Sequence, residues 1–260
     1  MKAKRLILAL AATTVLASCG KGKEIKQDEA QDVAKNIAKK VSESDFKHPE
    51  KLQLSISMEG LNDENKVEKS TIEMNYSKPD YFYSVIIKSG SDSMSAYNYW
   101  EKNENLLYAV ADATVDGKRS YAYSTISVDA SKIDSTFAQY TTSQQAGYNM
   151  DFSKIGQLAG VVAVAATTSS SFSIDLGELG GSVETHYYSF GEGNLVVEAT
   201  STTKVGDKSV KSTGAFYIEN YLVTKVTSDD GEGSKLSMEF RYGRANTGKP
   251  NLKDASKAEA

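Results

Sequence analysis

The chain is poor in the residues that usually announce chemistry. Its 260 residues include one cysteine, two histidines, one tryptophan and three prolines. A single thiol excludes an internal disulfide, so core packing and backbone pairing must hold the fold. His48 and His186 are far apart, and no His-x-x-His, Cys-x-x-Cys or His-Glu-x-x-His spacing occurs, which excludes the usual zinc sets. No Gly-x-Ser-x-Gly elbow and no glycine-rich phosphate loop ending in Lys-Ser or Lys-Thr is present. No catalytic, metal or cofactor residue is therefore singled out, and the sequence predicts a protein that is not an enzyme. Excess positive charge is missing too. Thirty basic residues face 34 acidic ones, a net charge of −4, which argues against a nucleic-acid partner. No apolar run reaches the ~20 residues that cross a bilayer as a helix. Scarce proline leaves long strands uninterrupted.

What is present begins with Cys19. Lys2, Lys4 and Arg5 precede an apolar stretch over 6–16, and Leu16-Ala17-Ser18-Cys19 is followed at once by Gly20, Lys21, Gly22, Lys23 and Glu24. Charged, apolar and small-residue segments in that order are the layout of a secretory signal. The last four residues resemble the lipobox of bacterial lipoproteins. That resemblance implies cleavage before Cys19, a diacylglyceryl group on its thiol, and an extracytoplasmic protein tethered to a bacterial cell membrane. Each buried methylene adds ~0.8 kcal/mol to such an anchor, so two long chains hold firmly. Removing Lys2, Lys4 and Arg5 leaves 27 basic against 34 acidic residues, a balance of −7. The expected organisation is a signal peptide over 1–18, a lipidated tether over 19–24, one β-rich domain over 25–243 and a polar tail over 244–260 that frays.

Residues 24–43 read as an amphipathic helix, with Val33, Ile37 and Val41 four apart beside Ala30, Ala34 and Ala38. Strict alternation then takes over. Leu52, Leu54, Ile56 and Met58 alternate with Gln53, Ser55, Ser57 and Glu59, and Ile72, Met74 and Tyr76 with Thr71, Glu73 and Asn75. Period two with one polar face marks half-buried strands. Further strands are predicted at 81–87, 94–100, 106–111 and 120–126, separated by turn compositions. Residues 129–145 are predicted helical. Asp151 is a candidate cap for a short helix ending at Leu158, and 167–171 reads as a mobile loop. Strands resume at 186–190, 195–202, 210–218, 222–228 and 236–242. The total is about eleven strands, antiparallel where the turns are short.

This order resembles the LolA-like half-barrel of periplasmic lipoprotein carriers and lipid-binding lipoproteins. The resemblance rests on the order of elements rather than on a motif, and it transfers no binding residue. It implies an α+β, mostly β fold, in which a curved antiparallel sheet is covered by the first helix and a central helical insert. It also implies an apolar cavity for acyl chains. The residues that would line it are Leu52, Leu54, Ile56, Met58, Ile72 and Met74; in a closed core the same residues would simply pack. The expected function is binding or carriage of a lipid or acyl chain. The alternative is a surface or envelope protein that uses its 15 tyrosines to meet a protein or glycan. Two acidic groupings are candidate sites without motif support: Asp229, Asp230 and Glu232 around Gly231, whose spacing departs from a calcium-binding EF-hand loop, and the pair Glu73 and Asp80.

Overall fold

Alternating apolar and polar residues drive most of the described residues into strands, and one sheet collects every strand among them. The computed structural model describes residues 22–61, 66–142, 155–168, 181–205 and 208–258. The signal segment, Cys19, Asp151 and residues 169–171 lie outside them. The strands are β1 (Lys23–Ile25), β2 (Lys51–Leu61), β3 (Val67–Ser77), β4 (Phe82–Ser89), β5 (Asp92–Glu101), β6 (Leu106–Val115) and β7 (Lys118–Ser127). After the helical insert come β8 (Gly181–Ser189), β9 (Leu195–Val205), β10 (Lys208–Glu219), β11 (Leu222–Asp229), β12 (Lys235–Tyr242) and β13 (Ser256–Lys257). The helices are α1 (Gln27–Ser42), α2 (Ile133–Thr142) and α3 (Gln157–Thr168).

The sheet is large, open and curved, with thirteen strands in the order β1-β8-β9-β10-β11-β12-β2-β3-β4-β5-β6-β7-β13. Two antiparallel meanders, β2–β7 and β8–β12, are joined side by side through the β12–β2 ladder. The short end strands are reciprocal: the N-terminal β1 pairs with β8, and the C-terminal β13 pairs parallel with β7. Very short edges of this kind present little unpaired backbone to other chains. They also account for thirteen strands where eleven were expected. Strands of three and two residues are too short to show an alternation.

Other boundaries move for identifiable reasons. Residues 24 and 25, expected to be helical, belong to β1. The helix begins at Gln27, where the Glu29 carboxylate accepts the Lys26 amide at 3.0 Å. Its buried stripe is Ala30, Ala34, Ile37 and Val41. The run 161–166 lies inside α3, which extends ten residues beyond the expected end at Leu158. A short apolar run carries no periodicity that tells a buried helix from a strand. Thr167 and Thr168, assigned to a loop, close α3. Thr167 is fully buried, and its hydroxyl donates back to the Ala163 carbonyl at 2.9 Å.

The helices cover one face of the sheet unevenly. α1 and α3 pack against each other and over β8–β11. Their closest approach is at Gly160, where an added Cβ would lie 2.9 Å from the Ala38 Cα and 3.0 Å from a Val41 methyl. α2 docks farther along, over β3 and β4, where Phe137 stacks on Tyr76 at 6.0 Å between ring centroids. The principal core lies between these helices and the sheet.

The tail beyond Gly243, expected to fray, instead straps the opposite face. The Asn246 amide donates to the Asn75 side chain at 2.8 Å, and Lys249 pairs with Glu101. The Tyr121 hydroxyl donates to the Asn251 carbonyl at 2.6 Å. Leu252 then packs against a second cluster built on Phe82, Tyr99 and Val110, and the Ala258 amide donates to Tyr123 at 2.8 Å. A polar composition concealed this because the strap is held chiefly through its backbone.

Candidate functional site

Cross-strand register places the six expected cavity residues on the helix-covered face. From β12 to β7 that face is built of rungs. One reads Tyr242, Leu52, Tyr76, Tyr83, Asn98, Ala109, Ser124. The next reads Phe240, Leu54, Met74, Val85, Ala96, Ala111, Ala122. A third reads Met238, Ile56, Ile72, Ile87, Met94, Ala113, Ser120. Leu52, Leu54, Ile72 and Met74 are buried and belong to the core. Ile56 is half-buried. Met58 sits at the rim, 37% exposed. The six therefore share one face, but four are core and two lead away from it.

They lead to a region the sequence reading did not mark. Along each rung, side-chain size falls sharply after β4, from Leu, Met, Val and Ile to Ala and Ser. Alanine leaves the volume of a larger side chain unfilled, so β5–β7 present a shallow shelf beside a tall apolar wall. The shelf reaches solvent: Met94 is 53% exposed, Ile126 is 37% exposed, and Ala111 is exposed. Exposed apolar residues that adjoin one another mark interaction sites more often than scattered ones do. The signal was present as Ala96, Ala109, Ala111, Ala113 and Ala122, but only register brings them together.

At the α2 end of the shelf stand two polar groups. Asn98 is only 6% exposed on this otherwise apolar face. Two residues along the same strand, and so on the same face, Trp100 buries its indole N–H without an acceptor. A buried donor left unpaired costs ~1–3 kcal/mol. The Trp100 ring is held edge-on by Tyr81 at 5.3 Å, and Tyr81 is packed by Phe137 at 5.7 Å. The Tyr81 hydroxyl donates to Asp134 of α2 at 3.2 Å. Tyr81 also adopts φ of 44°, a left-handed conformation that a non-glycine residue adopts at a cost in strain. Its cross-strand neighbour region includes Tyr83, whose phenol is pushed up to about 12 by burial and stays neutral.

Two hollows lie elsewhere. One, of about 550 Å³, lies between α1 and α3 and is lined by Ala38, Val41, Gly160, Val161 and Val164 among others. The other, of about 390 Å³, is lined mainly by polar residues of the opposite face, Ser55, Ser57, Thr71, Glu73, Ser237 and Glu239, and also by Ile56 and Ile72. The acidic groupings weighed from sequence are consumed by structure. Glu73 accepts from Gln53 and Asn75 at 3.2 and 3.0 Å, and Asp80 accepts from Lys51 at 2.8 Å and from Ser77 at 2.5 Å. They serve separate contacts. Asp230 folds its own turn: hydrogen bonds from Ser234 and from the Glu232 amide lower its carboxyl to about 2.

No protein-family profile and no curated protein matches this sequence. Among solved structures, the chain is similar to a β-barrel-like protein of a domain of unknown function from Brucella abortus. The identity is 9%, over 75% of this chain and 99% of that one, with a TM-score of 0.25. A likeness that distant carries no argument, and the site stands on its own geometry.

Proposed function

We propose that this protein is a membrane-tethered, extracytoplasmic lipoprotein of the half-barrel kind. Its helix side binds a hydrophobic ligand, a lipid or a single acyl chain. The observation that carries this reading is the shelf. Met94, Ala111 and Ile126 are exposed apolar residues on a face that continues directly into the core wall of Ile56 and Ile72. An acyl chain laid along it would exchange contact with water for contact with methyls at about 25 cal/mol per Å² buried. Small side chains in the floor leave room for a chain several methylenes long. Five of the tyrosines, Tyr97, Tyr99, Tyr108, Tyr121 and Tyr123, are engaged on the other face in the cluster that Leu252 of the strap joins, which favours the lipid reading.

The tether is argued from Leu16-Ala17-Ser18-Cys19. Metabolic palmitate labelling should disappear in Cys19→Ala; retained label would overturn the anchor. For the ligand, gently extracted protein should carry lipid in native mass spectrometry and take up a fluorescent fatty acid. A preparation with neither property would end this reading while leaving the anchor standing.

A further inference from the structure

We infer that Asn98 and Trp100 form a polar subsite that grips the carbonyl end of an acyl ligand and lays its tail across the alanine shelf toward Met94. This rests on the lipid-binding reading and adds to it a head-group chemistry and a direction. An apolar face has no use for a buried indole N–H without an acceptor, and such groups are normally satisfied. Here that donor lies two residues along one strand from the buried carboxamide of Asn98, beside the stretch where the rungs of β5–β7 shrink to Ala. An indole N–H can only donate, and a carboxamide can donate and accept. Their natural complement is a carbonyl oxygen with a hydroxyl or ester oxygen beside it. A bare hydrocarbon offers neither. The tripod of Tyr81, Phe137 and Asp134 fixes the tryptophan ring, so the donor is ordered before any ligand arrives. A fatty acid and an esterified acyl chain share this carbonyl.

Trp100 is the sole tryptophan, so its fluorescence reports this subsite alone. Full-length protein would be titrated with two palmitic acids, one brominated beside the carboxyl and one at the far end of the chain. Bromine quenches only at short range. The head-labelled probe should quench Trp100 much more strongly; stronger quenching by the tail-labelled probe overturns the assignment. That comparison needs no mutation. Affinities of Asn98→Leu and Trp100→Phe would then be measured for palmitic acid, methyl palmitate and hexadecane. Each variant should lose roughly tenfold for the oxygenated probes, the effect of one buried hydrogen bond, and bind hexadecane unchanged. Loss for the acid alone would assign the subsite to free fatty acids, and equal loss for acid and ester to any acyl carbonyl. Variants that bind all three like the parent would overturn the inference while lipid binding survives. Failure of every probe to bind would remove lipid binding itself.

Discussion

The two meanders use the same sheet in opposite ways. In β8–β12 the helix side is packed: Leu195, Val197, Ile218 and Val223 are buried in the core that α1 and α3 help to form, while the other side carries His186, Glu198 and Lys225. In β5–β7 much of the helix side is Ala and Ser, exposed at Met94, Ala111 and Ile126, while Leu107 and Asn98 on the same side are buried. The buried aromatics, Tyr99 with Tyr108 stacked at 5.0 Å, face the strap. Stability and vacancy have thus been separated along one continuous surface. One half is packed chiefly on the helix side, and the other, packed on its back, leaves part of its helix side exposed, where the proposed ligand would lie.

The contrast can be broken by mutation. Ile218→Ala should cost about 2–5 kcal/mol in urea denaturation, because it empties a filled site, whereas Ala111→Val on the shelf should stay within about 0.5 kcal/mol. Equal costs would mean the shelf is core after all. Gly160→Leu should come next, at about 1–3 kcal/mol in thermal melts, since it drives a side chain into Ala38 and separates α1 from α3. Its effect should be confined to the packed half, leaving the Trp100 emission maximum in place. Leu252→Ala should lose about 1 kcal/mol from the strapped half, and hydrogen exchange should quicken at Tyr123 and Ala258. The smallest effect is one of pH. His186 Nδ1 donates to the Glu24 carboxylate at 2.7 Å, and its Nε2 lies 3.3 Å from Glu184. The Glu24 hydrogen bond chiefly raises its pKa above 6.5. The clasp between β1 and β8 is therefore complete below pH 6.5 and is lost as pH rises through the elevated value. Protection of the β1 amides, corrected for intrinsic exchange, should fall as pH rises above 6.5, and His186→Gln should abolish that dependence.

Much of the architecture was legible because alternation is a local signal. Leu52 to Met58 and Ile72 to Tyr76 declare their faces without help from the rest of the chain. The long α3 was not legible, since Val161 to Ala166 has no polar face to give it a period. Nor was the strap, because its backbone bonds to Asn75 and Tyr123 leave no trace in composition. Of the site, the apolar wall could be read from two strands. The shelf could not, because Ala96, Ala111 and Ala122 become neighbours only through pairing across three strands. Asn98 looked like any polar residue on an alternating strand until its register with Tyr83 and Ala109 put it on the inner face.

The reciprocal end strands bear on mechanics. β1 is three residues long and follows directly on Gly22, whose φ of 84° and close approach to the Ser189 carbonyl admit only glycine. Any pull transmitted from the residues before it loads that ladder first. Three pairings yield long before the eleven pairings that join β2 to β3. In the proposed tethered protein the N-terminal strand would act as a fuse: under tension it would let go first, lengthen the leash, and spare the body of the sheet.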